Sequence, residues 1–391
     1  MDTENANEIA VAPRALLAET RRRGERMTRM LARLVRVESP STDKRALDRL
    51  ARVVAAEWRR RGASVRVVRR SDAGDQVRVE WRPAGSRGMA PILLLGHLDT
   101  VYEIGTLRKT PFRVRGGRAY GPGTFDMKSG LVIALFAVEA LRALKLRPRR
   151  PIVGLWTSDE EIGSYASRAA IEREARASCA VLVLEPAGGT RGDLKIARKG
   201  VGEITLEVEG RAAHAGLDPQ SGVNAILELS LQIARLQRLN QPKRGVTLSA
   251  GVIQGGTRSN VVPDRATAVV DLRAPTLREM RGLERKLRAL RPILPGAKLT
   301  VRGGFNRPPL EARMSKKLFA RAERIAREMK LSIGASSVGG GSDGNFTAAI
   351  GVPTLDGMGG VGGGAHSPGE FVLLRSLPER AALLAALLLE L

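Results

Sequence analysis

Histidine is scarce in this chain. There are three, His97, His214 and His366, in the segments GHLDT, RAAHAG and GGGAHSPGE. A neutral imidazole is both a metal ligand and a proton carrier, so each position is a candidate for chemistry. His97 follows the apolar run PILLLG. It should therefore emerge at the carboxyl end of a buried strand, where the ligands of open α/β sheets collect. Asp99, two residues on, can accept the second ring N–H of His97 and so fix its tautomer and orientation. The plainer alternative is a strand-end histidine followed by a turn aspartate.

Acids recur in the same position. PIVGLWTSDEEIGS runs an apolar strand into Asp159, Glu160 and Glu161, and VLVLEP ends on Glu185. Neighbouring acids often mark a solvated turn. At a strand end they offer two tasks instead, Glu161 as a metal ligand and Glu160 as proton acceptor from an activated water. A carboxylate at Glu185, buried without a partner, would be costly, and a cation removes that cost. Asp126 in GPGTFDMKSG precedes an apolar helix, where capping is the ordinary use of aspartate, yet its two oxygens could also face two cations. His366 completes a set drawn from five places. Two imidazoles, three carboxylates and one hydroxide balance two divalent ions. Such a donor set without cysteine suits zinc, with cobalt or manganese as substitutes.

These residues need elements to hold them. Helical periodicity covers residues 14–37 and 44–61. Strand signals at 64–70, 76–82 and 91–96, a helix at 127–145 and strands at 151–157 and 179–185 form an α/β alternation. From Gly200 the order becomes β-α-β-β-α-β, with GEITLEVEG, a helix at 222–239, strands at 246–254 and 265–273, a helix at 276–290 and AKLTVR, an order that suggests a ferredoxin-like sandwich. The expected division is a catalytic domain over 1–198 and 304–391, interrupted by a smaller domain over 199–303. Ser376 and Glu379 have capping-box spacing ahead of the terminal helix AALLAALLLEL.

At 391 residues two cores are expected. No apolar stretch reaches the roughly 18 residues of a spanning helix. The start MDTENANEIAVAP lacks the basic and apolar regions of a secretory signal, and a lone Cys179 excludes an internal disulfide, so a cytoplasmic location is expected, with Cys179 a buried, inert thiol. The formal charge of +25 raises a nucleic-acid-binding protein as a rival. Its clusters, Arg21-Arg22-Arg23 and RPRR at 147–150, carry no interleaved aromatics and no accompanying binding motif, which favours a solvated basic surface.

GHLDTV, GPGTFDMKSG, TSDEEIGS, LEP, GRAAHAG and GGGAHSPGE, in this order and spacing, resemble the cocatalytic-zinc metallopeptidases of clan MH. That family includes carboxypeptidase G and other glutamate carboxypeptidases, acetylornithine deacetylase, succinyl-diaminopimelate desuccinylase and aminoacylase. The resemblance implies a zinc-exopeptidase-like α/β catalytic domain with a mixed sheet and flanking helices, interrupted by a ferredoxin-like α+β lid that forms a homodimer. It implies that His97 and Glu185 hold one metal, Glu161 and His366 the other, and that Asp126 bridges them. Glu160 would be the general base and Asp99 the orienter of His97. His214 would reach the partner subunit's site to stabilise the oxyanion. Arg273 in VVDLRA and Asn260 in RSNVVPD would bind a substrate carboxylate, with a backbone N–H of Gly341 in GGGSDG beside them. For Arg273 an ordinary surface salt bridge is the competing reading. Ser129 departs from the family's usual glycine.

The expected reaction is attack of a metal-bridging hydroxide on an amide next to a free carboxylate. GHLDTVY and DGMGGVGGGAHSPGE point to the glutamate carboxypeptidase branch, so release of C-terminal glutamate is the first expectation and N-acylamino acid deacylation the second. A non-catalytic dimeric binding module is the remaining alternative, and the complete ligand set argues against it.

Overall fold

The computed structural model describes residues 3–86 and 88–391, with side chains from residue 12 onward. The first two residues of MDTENANEIAVAP lie outside it. The chain divides into two compact units, one of residues 1–197, 312–338 and 342–391, the other of residues 198–311 and 339–341.

The larger unit is built on a six-stranded sheet in the order Ser64–Val68, Gln76–Trp81, Ile152–Thr157, Ile92–His97, Ala180–Val183, Thr354–Leu355. The first two pairings are antiparallel and the remaining three parallel, so the sheet is mixed. Alternation along the central strands explains their continuous apolar character. Ile92, Leu94, Ile152, Trp156, Ala180 and Leu182 enter one core. Leu93, Leu95, Val153, Leu155, Val181 and Val183 enter another on the opposite face. A strand buried on both faces has no polar side, hence runs such as ILLL. The first core is closed by helices Gly24–Val35, Lys44–Arg60, Ser129–Ala143 and Ser376–Glu390, and the second by Arg168–Arg176 and Gly344–Ala349. Because four neighbouring strands run parallel, their carboxyl ends share one edge.

Close approach at that edge rests on two glycines. A Cβ at Gly130 would sit 2.2 Å from the Leu184 carbonyl oxygen, and one at Gly359 2.4 Å from the same atom. The helix and the loop can therefore both lie against the backbone that leads to Glu185.

Several local expectations shift. Residues 14–37 read as one helix but fold as two, Thr3–Arg22 and Gly24–Val35. Gly24 is a poor helix former, and the Arg23 side chain at the break bonds Glu19 and Glu139. The terminal helix lacks its capping box. The Ser376 hydroxyl donates to the Leu373 carbonyl and accepts the Val361 N–H, pinning the loop before His366 instead. Asp126 caps nothing: the helix proper starts at Ser129. Cys179 is only half-buried, although burial still pushes its thiol up. No helix among the described residues is long and apolar enough to cross a membrane.

The smaller unit has a four-stranded antiparallel sheet ordered Thr247–Gly255, Arg265–Ala274, Gly200–Glu209, Lys298–Arg307. Helices Ala225–Gln237 and Leu277–Arg288 bury Leu229, Leu236, Leu283 and Leu287 against Leu206, Val208, Val270 and Leu272. The strand from Lys298 continues through Gly303 and Gly304 to Arg307, past the glycine pair at which the sequence suggested a boundary.

Candidate metal centre

Parallel strands deliver the centre's side chains. His97 ends the strand Ile92–His97. Glu160 and Glu161 follow the paired strand Ile152–Thr157, and Glu185 lies two residues beyond Ala180–Val183. Asp126 and His366 come from loops stapled together by a small antiparallel sheet, in which Phe371 pairs with Tyr120 and Val372 with Ala119.

Asp126 lies between the two histidines. His97 Nε2 is 3.4 Å from Asp126 Oδ1 and 3.3 Å from Glu185 Oε1. His366 Nε2 is 3.4 Å from Asp126 Oδ2 and 3.2 Å from Glu161 Oε2. Each carboxylate oxygen of Asp126 thus faces a different imidazole. His97 Nε2, Asp126 Oδ1 and Glu161 Oε1 are buried without a hydrogen-bond partner. Buried polar atoms with no partner are rare and costly, and here three converge. Donor atoms of His97, Glu160 and Glu185 lie within 4.8 Å of one another, as do those of His97, Asp126 and Glu161. These residues fit divalent-cation binding in donor chemistry and in placement.

Electrostatics says the same. Burial opposes charge on His97, yet the neighbouring carboxylates of Asp126, Asp99 and Glu185 hold its pKa well above the ordinary imidazole value. Asp126 and Glu161 push His366 up to about 10. Burial raises Glu161, and contact with both histidines holds Asp126 below the usual carboxylate range despite its burial. The clustered carboxylates thus favour positive charge at the centre, which a cation would also supply. His366 also adopts a left-handed backbone with φ of 61°, uncommon outside glycine and concentrated at functional sites.

Asp99 does more than orient one ring. The Asp99 carbonyl lies 3.0 Å from His97 Nδ1, and its carboxylate is 3.4 Å from the same nitrogen. That carboxylate also accepts the N–H groups of Glu160 at 3.2 Å and Glu161 at 3.1 Å, and the Ser41 hydroxyl at 2.7 Å. It therefore ties the histidine strand to the loop of the two glutamates.

Sequence reasoning missed Glu370. Its buried carboxylate accepts the N–H groups of Gly123, Phe125 and Asp126 at 2.9, 2.7 and 2.9 Å, which fixes the Asp126 loop. The Tyr102 hydroxyl lies beside the same carboxylate and donates to the Ser367 carbonyl at 2.9 Å, next to His366. The available signal was the last letter of GGGAHSPGE. Lys128 was passed over as well. It is buried, donates to the Val37 carbonyl at 2.8 Å, and burial pushes it down to about 7. Ser129 is accommodated: its hydroxyl lies where a Cβ at Gly360 would come within 2.7 Å.

Within the smaller unit the four remaining candidates fall into two groups. His214 and Asn260 are exposed and adjacent: Ala215 N–H donates to the Asn260 carbonyl at 2.9 Å, and His214 bridges Val261. His214 Nδ1 accepts the N–H groups of Gly216 and Leu217 at 3.2 and 3.1 Å, so the neutral ring carries its proton on Nε2. Arg273 sits at the other end of the sheet, paired with Val201, whereas His214 follows the far end of that ten-residue strand. At about 3.3 Å per residue the two ends are roughly 30 Å apart. Arg273 pairs with Asp271, its Nη2 2.8 Å from Oδ2, and donates to the Gly339 carbonyl at 3.3 Å. The salt-bridge reading of Arg273 thus describes its present partner. Gly341 is at this end too, its carbonyl accepting from Arg198 at 3.1 Å.

A mixed α/β sheet carrying a histidine–carboxylate centre of this kind is suited to metal-assisted hydrolysis. Residues 93–390 match the model of peptidase family M20/M25/M40, and the chain belongs to that family. It is 32% identical to carboxypeptidase G2 of Pseudomonas sp. strain RS-16 over 368 residues, covering 92% of this chain and 88% of the relative. It is 31% identical to succinyl-diaminopimelate desuccinylase of Dechloromonas aromatica over 325 residues, 78% of this chain and 84% of that one. The fold matches aminopeptidase PepT of Bacillus cereus with a TM-score of 0.80 at 22% identity, covering 94% and 98% of the two chains. The protein is a metal-dependent hydrolase of amide bonds, of the carboxypeptidase or N-acylamino acid deacylase kind.

Proposed function

We propose that the protein is a two-zinc carboxypeptidase that releases C-terminal glutamate or a similar amino acid from an N-acyl or peptidyl substrate. The observation that carries the two-cation reading is Asp126, whose two oxygens each face one histidine. His97 and Glu185 would hold one cation and Glu161 and His366 the other. Cations bound there would supply Lewis-acid polarisation of the scissile carbonyl and neutralise the acids. Glu160 takes the proton of the attacking water and passes it to the leaving amine. Asp99 holds both the His97 ring and the Glu160 backbone during that transfer. The Nε2–H of His214 donates to the oxyanion, while Arg273, Asn260 and the Gly341 N–H bind the free carboxylate.

His214 and Arg273 lie at opposite ends of one small unit, which supports a homodimer in which each site takes His214 from the partner and Arg273 from its own chain. The exposed edge strand Thr247–Gly255, with Val252 and Ile253 51% and 56% exposed, is an available pairing surface. Carboxypeptidase G2 as a relative supports glutamate, and the desuccinylase keeps N-acylamino acid deacylation as the second reading. A hydrolysis panel of N-acyl and dipeptide substrates, run on chelator-treated protein with and without Zn²⁺ or Co²⁺, separates them. The expected result is metal-restored cleavage that is fastest with C-terminal glutamate. Equal rates without a terminal carboxylate would overturn the exopeptidase assignment.

A further inference from the structure

Away from the metal centre, Arg26, Arg29, Arg33, Arg60, Arg61 and Arg142 line a cavity of about 530 Å³. It is formed by the helices Gly24–Val35, Lys44–Arg60 and Ser129–Ala143. Only two acids share it, Glu57 and Glu139. Six positive charges against two negative leave a local surplus of four.

Both acids are already saturated. Glu57 is contacted by Arg33, Arg60 and Arg61, and Glu139 by Arg23, Arg26 and Arg61. Arg29 reaches only the exposed Glu25, at 3.4 Å. Arg142 has no ion pair among the described residues. Arg61 is 8% exposed, and its Nε–H is buried with no hydrogen-bond partner. The guanidinium groups of Arg26 and Arg61 lie 5.7 and 5.4 Å from the Phe136 ring centroid, so an aromatic face backs the two forks.

Guanidinium groups crowded in this way repel one another, and their planar forks match the oxygens of phosphate. One carboxylate would cancel a single charge of the surplus, whereas a polyphosphate chain carries several. The volume is that of a small-ligand pocket. We propose that this cavity binds a polyphosphate group, free or carried on a nucleotide, at a site distinct from the metal centre.

Calorimetric titration of the metal-loaded protein with inorganic tripolyphosphate, and in a second arm with ATP, at roughly 0.15 M salt tests this. The expected result is one site per chain, weakened at least about tenfold by the double substitution Arg29→Glu and Arg142→Glu, with amide hydrolysis and melting temperature unchanged. Both side chains lie outside the buried ion pairs, so the variant should fold. Arg61→Lys, which keeps the charge and loses the fork, should weaken binding several-fold. Equal affinity for the two probes identifies the phosphate chain as the whole ligand, and tighter ATP binding identifies a nucleotide. Binding unchanged in the double variant would mean chelation of the catalytic metals. Multiple weak sites equally competed by duplex DNA would mean diffuse surface charge, and absence of binding would mean that Glu57 and Glu139 suffice. Each of these three results overturns the proposal.

Discussion

The candidate metal centre and the proposed substrate residues of the small unit are built in opposite ways. In the centre two of the ligand-bearing loops are held from behind: Asp99 grips the Glu160–Glu161 backbone, and Glu370 grips the loop of Asp126. In the small unit His214 and Asn260 are exposed, and Arg273 is some thirty ångströms along the same sheet by the strand rise. Cations concentrate charge and demand well-fixed donors, which bracing hydrogen bonds to the ligand-bearing loops provide. Groups that greet a substrate can be distributed, even between subunits.

The comparison is tested most sharply at Glu160. Glu160→Gln should lower kcat by about 10³-fold or more while leaving the metal content unchanged, measured by turnover and metal content of the same sample. Near-normal turnover would remove the base from the braced region. Next come paired variants of the distributed region. His214→Ala and Arg273→Ala should each lose roughly 10²-fold in kcat/KM, yet equal amounts unfolded and refolded together should regain about a quarter of wild-type activity, because half the dimers are mixed and each holds one intact site. No recovery would place both residues in a single-chain site.

Glu370→Gln keeps the size of the side chain and removes its charge. It should weaken metal affinity by about 10- to 100-fold, read by competition with a chelator, with little change in substrate KM. A selective change in KM would instead make Glu370 a substrate contact. The smallest effect belongs to Tyr102→Phe, which deletes the donor to the Ser367 carbonyl and a polar neighbour of Glu370. A loss of about 1 kcal/mol in stability and a few-fold in metal affinity is expected, from thermal melting and the same competition.

Much of the centre was legible beforehand because its residues sit at strand ends. An apolar run of four to six residues followed at once by His97, by Asp159-Glu160-Glu161 or by Glu185 announces both the strand and the edge on which its last side chain appears. Asp126 was harder, since an aspartate before a helix reads as a cap. Only the loop course from Gly121, tied to Glu370, turns it between the histidines. Glu370 closes the GGGAHSPGE motif, but its role was not legible because its partners include the backbone N–H groups of Gly123, Phe125 and Asp126, which leave no letter in the sequence. The capping box at Ser376 misled for the converse reason: the right spacing was present, and the Val361 N–H took the hydroxyl.

For this chain, residue order alone nominated the side chains with cation-binding chemistry and placed most of them at strand ends, because alternation and charge are written in adjacent residues. Tertiary structure decided that Asp126 faces two histidines, that Glu370 and Asp99 brace the loops beneath them, and that His214 and Arg273 stand at opposite ends of their sheet. Those are relations between segments far apart in the chain, set by how cores pack and by which backbone groups need partners, and no local pattern encodes them.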